Sequence, residues 1–169
     1  MMSNSTPSLL APVQRSVTVH VPVERAFAIF TAEFDSWWPR SHHIGSSPLK
    51  QAIVEGRSGG RCYSLQVDGT ECDWGKVLIF EPPRRFVLAW QIGGNWKYEP
   101  DLAKASEVEV CFTAQPDGST RVDLEHRAFE RHGDAAAAMQ TSVGSPSGWG
   151  GLLDLFAKRT AQDAAAGAQ

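Results

Sequence analysis

Three histidines stand where side-chain chemistry is available: the adjacent pair His42-His43 and the isolated His126. Imidazole can act near neutral pH as an acid, a base, a hydrogen-bond anchor or a metal ligand. Adjacent side chains on irregular backbone diverge, and a metal site needs three or four convergent ligands. With no third ligand close by in the sequence, the pair reads as part of a loop or the rim of a pocket, and no metal is expected. His126 falls in an alternating stretch, Val122, Leu124, His126, whose opposite side carries Arg121, Asp123, Glu125 and Arg127. Two readings stay open for it: a neutral core histidine with a hydrogen-bond partner, or a polar anchor or acid–base group inside a pocket. Its neighbour Glu125 points the other way, so no carboxylate partner can be named.

Aromatic residues supply the second pattern, with six Trp and eight Phe against two Tyr. Trp37, Trp38, Trp74, Trp90 and Trp149 serve as core, as pocket wall, or as both, since apolar ligand sites are lined by such rings with a few polar groups among them. The candidate ligand-binding set is Trp37, Trp38, His42, Tyr63, Trp74, Trp90, His126, Trp149 and Leu153. No phosphate-cradling G-x-x-x-x-G-K-[ST], no dinucleotide G-x-G-x-x-G and no H-E-x-x-H is present, so no cofactor is expected. Gly144-Ser-Pro-Ser-Gly148 has the outline of a nucleophile elbow, but Pro146 stands where the nucleophile would be. No catalytic residue is assigned.

The elements that must position these residues can be read from periodicity. Val13, Val17, Val19 and Val21 alternate with polar residues, a half-buried strand. Pro22 suits a helix start, and Val23, Phe27, Phe30 and Phe34 form one helical stripe. The segment from Asp35 to Gly45 is aromatic and broken by Pro39 and Gly45, suited to a second short helix or a loop over a pocket. From Lys50 to Phe129 the signals are those of strands. Asp68-Gly69 predicts a two-residue hairpin turn pairing Val67 with Thr70, which places Tyr63, Leu65, Val67, Cys72 and Trp74 on one apolar face. Phe86, Leu88, Trp90 and Ile92 alternate, as do Val108, Val110 and Phe112. A Gly/Ala/Ser-rich connection over 133–148 leads to Trp149, Leu152, Leu153 and Phe156, the apolar stripe of a terminal helix.

The length of 169 residues suits one domain, predicted over 13–160 with tails at 1–12 and 161–169. Sixteen Lys+Arg against nineteen Asp+Glu give a net charge of −3, without the basic excess of a nucleic-acid binder. No run of about 20 apolar residues offers a membrane span. Three scattered cysteines and no signal-like N-terminus lead to an expected cytoplasmic location. The element order predicts an α+β fold: a curved antiparallel sheet of six or seven strands gripping a long C-terminal helix, with one or two short helices after the first strand. A curved sheet around one helix leaves room for a hollow between them.

Several segments then resemble the START-like, helix-grip superfamily (SRPBCC), in its branch of activator-of-Hsp-90-ATPase homologues. They are Val19-His-Val-Pro-Val-Glu-Arg-Ala-Phe27, Phe34-Asp-Ser-Trp-Trp38, the stretch from Gly75 through Glu81-Pro-Pro-Arg-Arg-Phe86 to Trp90, Asp117 to His126, and Gly148-Trp-Gly-Gly-Leu-Leu153. The resemblance implies a cavity between sheet and helices that takes lipids, polyketides or other apolar molecules. The favoured expectation is a non-enzymatic carrier or sensor of a small apolar or aromatic ligand. One alternative is a cyclase or dehydratase using His42, His43 or His126; another is a co-chaperone-type partner of a chaperone ATPase.

Overall fold

Seven strands form one sheet in the order β1-β7-β6-β5-β4-β3-β2, every neighbour antiparallel. The computed structural model describes residues 10–167, so most of the expected 1–12 tail and the last two residues lie outside the described residues. The strands are β1 (Val13–Val19), β2 (Leu49–Val54), β3 (Arg61–Gln66), β4 (Glu71–Glu81), β5 (Arg85–Trp90), β6 (Ser106–Ala114) and β7 (Thr120–Arg127). Helix α1 (Val23–Phe30) follows β1, and a single 3-10 turn covers Phe34–Ser36. Helices α2 (Ala136–Val143) and α3 (Gly151–Gly167) close the chain. This is the helix-grip architecture: a curled sheet around a long C-terminal helix. Among the described residues no helix is long and apolar enough to cross a membrane.

Alternation dictates which side chains meet the helices. Val108, Val110 and Phe112 of β6, Val122, Leu124 and His126 of β7, and Phe86, Leu88 and Trp90 of β5 are all buried. Phe30 of α1 packs edge-on against Phe86, Phe112 and Phe156, so one ring joins α1 to the sheet and to α3. Ion pairs fasten the two helices outside this core. Arg25 of α1 bonds Asp163 of α3 at 2.7 Å, and Arg159 of α3 bonds Glu33, just after α1, at 2.9 Å.

The β3–β4 hairpin departs from its expected register. Gln66 N–H donates to the Thr70 carbonyl at 2.8 Å, so three residues, not two, make the turn. Gly69 takes φ +89°, the left-handed position that a three-residue hairpin loop requires. One extra turn residue moves Leu65 opposite Glu71 and Ser64 opposite Cys72. Because side chains alternate with period two, the slip exchanges the faces. Cys62, Ser64 and Gln66 point inward, whereas Tyr63 and Leu65 lie on the outer face and Val67 is exposed in the turn. Tyr63 there carries the Arg61 guanidinium 3.9 Å above its ring. Trp74 still reaches the interior, because it lies two residues beyond Cys72, which now pairs with inward-pointing Ser64; the bulge that follows, between the pairs Tyr63–Asp73 and Cys62–Gly75, brings Gly75 to the same face.

Two helical segments also exceed the expectation. The predicted connection over 133–148 contains helix α2, a 3-10 segment over Phe129–Ala135 leads into it, and α3 runs on to Gly167 through residues expected in the 161–169 tail.

Candidate functional site

At one end of the grip the aromatic rings stop filling the space between sheet and helix. Trp38, just after the 3-10 turn, stacks on Trp74 with centroids 6.0 Å apart and planes within 6°. Trp74 meets Trp90 of β5 edge-on at 5.8 Å, and Trp90 meets Trp149 in the same way at 5.8 Å. These four indoles wall a cavity of about 350 Å³. Ile44, Ile92, Val143 and Leu152 add apolar surface, Trp96 stands on the wall from the β5–β6 loop, and Ser41, His42, His43, Ser142, Ser145 and Ser147 supply the polar groups. Among the described residues no Asp, Glu, Lys or Arg lines the cavity. Its volume falls at the small end of ligand sites, roughly 300–1,000 Å³.

Five of the nine candidate residues come together here: Trp38, His42, Trp74, Trp90 and Trp149. Trp37 does not line the cavity. It is buried between Phe30, Phe34 and Phe156, with its N–H donating to the Ile29 carbonyl at 3.1 Å. Leu153 is buried in the core, and its neighbour Leu152 takes the wall position. Tyr63 lies on the far face of the sheet, for the register reason given above. His126 is fully buried and lies behind the wall. Residues missed by sequence reasoning include Ile44, Ile92, Trp96 and the serines of 142–147. Trp96 carried a signal of its own, a large aromatic, with Tyr98, in an otherwise polar loop.

Hydrogen-bond partners settle the tautomers of both histidines. His42 Nε2 lies 2.9 Å from the Ser147 carbonyl, which only accepts, so Nε2 carries the proton and Nδ1 accepts from Ser41 Oγ at 3.0 Å. Trp38 donates its N–H to the His42 carbonyl at 2.7 Å. The segment after the 3-10 turn is thereby tied to the turn before α3, joining two sides of the cavity rim.

His126 receives the Trp149 N–H on Nδ1 at 3.0 Å, so its proton sits on Nε2 and is donated to Ser106 Oγ at 2.7 Å. The Ser106 hydroxyl in turn donates to His132 Nε2 at 2.7 Å. Every donor in this chain finds an acceptor only while His126 is neutral. Burial, with a smaller contribution from His132, pushes its pKa down to about 3, and burial lowers that of His132 as well. His126 therefore works as the neutral acceptor that orients Trp149, the first of its two sequence readings.

The rim also carries backbone constraints. Trp96 adopts φ +59°, a left-handed conformation that costs a bulky residue about 1–3 kcal/mol and is typical of functional loops. At Gly148 a Cβ would sit 2.1 Å from the Val143 carbonyl oxygen, because the turn folds tightly onto the end of α2. Gly148→Ala is expected to destabilise the fold by at least ~2 kcal/mol and to displace Trp149, read out as a lower Tm and a changed tryptophan emission. An unchanged Tm would contradict the close approach.

Solved structures with the same architecture include two of appreciable sequence identity. The anthrahydroquino-γ-pyrone synthase Txn09 is 38% identical, with 90% of this chain and 99% of that chain covered at a TM-score of 0.63. CalC from Micromonospora echinospora, a self-sacrificing resistance protein, is 29% identical over 90% of this chain and 95% of that one, with a TM-score of 0.67. Among curated proteins no sequence matches. Residues 20–159, from just before α1 into α3, match a single family description. On that span and this architecture, the chain belongs to the Activator of Hsp90 ATPase homolog 1-like protein family.

Proposed function

We propose that the protein binds a planar aromatic molecule in the cavity between Trp38, Trp74, Trp90 and Trp149, as a carrier or sensor. The observation that carries this is a hollow of about 350 Å³ walled by four indoles and, among the described residues, free of charged side chains. Indole faces offset-stack on flat rings, which adds to the gain from apolar burial alone. The size suits two or three fused rings, and the serine hydroxyls at the rim suit polar substituents. Similarity to an anthrahydroquino-γ-pyrone synthase supports the same class of guest.

A panel of two- to four-ring aromatics and of lipids, tested by native mass spectrometry and thermal shift, checks this. A fused-ring ligand at a hundredfold excess over its Kd should raise Tm by about 5–10 °C with a one-to-one adduct, and lipids should not. A panel without a single adduct would end the proposal.

A second reading, ring closure on a bound precursor, is favoured by the 38% identity to Txn09 together with one feature of the wall. His43 Nδ1 has no partner, whereas both nitrogens of His42 are engaged, so His43 is the histidine free to move a proton. Unchanged turnover of a cyclising substrate in His43→Gln would remove that role.

A further inference from the structure

Behind the cavity wall a chain of hydrogen bonds runs outward from Trp149. The indole N–H donates to His126 Nδ1 at 3.0 Å, His126 Nε2–H to Ser106 Oγ at 2.7 Å, and the Ser106 hydroxyl to His132 Nε2 at 2.7 Å. His126 and Ser106 are fully buried. His132, in the 3-10 segment after β7, is only half-buried, so the outer end of the chain is the imidazole that solvent reaches.

Every bond in the chain points from the wall toward the surface, and this direction holds only while His132 Nε2 accepts. A proton on His132 makes Nε2 a donor. Ser106 Oγ then receives the His132 N–H, and its own hydrogen turns to its other partner, His126 Nε2. For Nε2 to accept, the His126 proton must sit on Nδ1, where it opposes the Trp149 N–H across 3.0 Å. Net uptake is one proton, on His132; His126 gives one up at Nε2 and gains one at Nδ1. Trp149 loses its acceptor.

The charged groups around His132 are engaged elsewhere. Arg131 of its own segment and Arg127 of β7 both bond Glu107 of β6, at 3.1 and 3.2 Å. Lys104, in the turn packed against this segment, lies 4.0 Å from Glu99. Glu130 and Asp134 are exposed, and α2 carries no charged residue. Burial lowers the pKa of His132, which puts its titration below the ordinary histidine value, while His126, at about 3, stays neutral across that range.

We propose that proton uptake at His132 reverses this chain and releases Trp149, so that the cavity holds its guest at neutral pH and lets it go in mild acid. This rests on the reading of the cavity as an aromatic-ligand site and adds its regulation. A guest seated against Trp149 must then order a ring that has lost its anchor, and by reciprocity the bound guest moves His132 titration to lower pH.

The test begins without ligand. NMR from pH 7.5 to 4.5 follows the His132 ring and the Trp149 indole N–H, identified by its absence in Trp149→Phe. The indole resonance should move upfield with the midpoint of His132. It should stay fixed in His132→Gln, whose amide oxygen still accepts from Ser106 but takes no proton. The probe is 9-fluorenone, uncharged throughout, with Kd read from tryptophan quenching. Wild type should bind it about fivefold more weakly at pH 4.5 than at pH 7.5, and His132→Gln equally at both. An indole that stays put while His132 titrates, one that moves alike in His132→Gln, or a His132 still neutral at pH 4.5 overturns the switch, whether or not the probe binds. A moving indole with an unchanged Kd overturns its control of the guest. A moving indole in a protein that takes no probe at pH 7.5 upholds the coupling and counts against the cavity reading.

Discussion

Trp149→Ala is expected to lower stability by about 3–5 kcal/mol, the usual cost of removing a buried tryptophan. For a domain of this size that is a fall in Tm of about 10 °C or more. The ring is 3% exposed, packs against Trp38, Trp90 and His126, and forms part of the cavity wall. Its loss also leaves His126 Nδ1 without its donor. Trp149→Phe separates the two effects, since most of the ring stays and only the N–H goes. It should cost about 1–3 kcal/mol, the range for orphaning one buried polar partner. Differential scanning calorimetry of the pair checks the claim, and a Trp149→Ala protein melting within 2 °C of the wild type would refute the placement of this ring.

Acid should weaken the fold well before its carboxylates are protonated. An unfolded histidine titrates near 6.5, whereas buried His126 takes up a proton only near 3. Between those values the unfolded chain binds more protons, so stability falls as pH drops below 6.5 and the loss levels off near 3. From about pH 7.5 to about pH 5 this group alone should remove about 2 kcal/mol. His132, lowered by burial, acts in the same direction. Glu109, held below the usual range by its bonds to Arg127 and Arg85, contributes only at lower pH. His126→Phe keeps a ring beside Phe129 but removes the titration. It should be less stable at pH 7.5, having orphaned Trp149 Nε1 and removed the donor to Ser106 Oγ, and should show a flatter profile down to pH 5. Denaturant unfolding at a series of pH values decides this; parallel profiles for the two proteins would sink the assignment.

Strand alternation in β1, β5, β6 and β7 and the stripe of α1 were legible because each is a regular contrast of apolar and polar residues. The β3–β4 face was not, because its register depends on the length of one turn. Asp68-Gly69 suits a two-residue or a three-residue loop, and the choice decides whether Tyr63 or Ser64 points inward. Trp74 reached the interior with Cys72 by plain alternation along β4, while the partner strand β3 turned its other face inward. Helix α2 escaped notice because Ala136, Met139 and Val143 form its buried stripe within a run of small residues, where apolar contrast is weak. The site was partly legible for a related reason. Large aromatics announce that a wall exists, but which ring lines it and which sits behind it, as with Trp38 and Trp37, depends on packing between elements far apart in the chain.

Among the described residues a single hydrogen bond, from His42 to the Ser147 carbonyl, connects the segment after Trp38 with the turn before α3. Parting those two margins therefore costs on the order of 1 kcal/mol. Exchange should then be quick at the doorway and slow only at the seat, so dwell times across a series of guests will follow how firmly each one stacks, with nearly uniform rates of arrival.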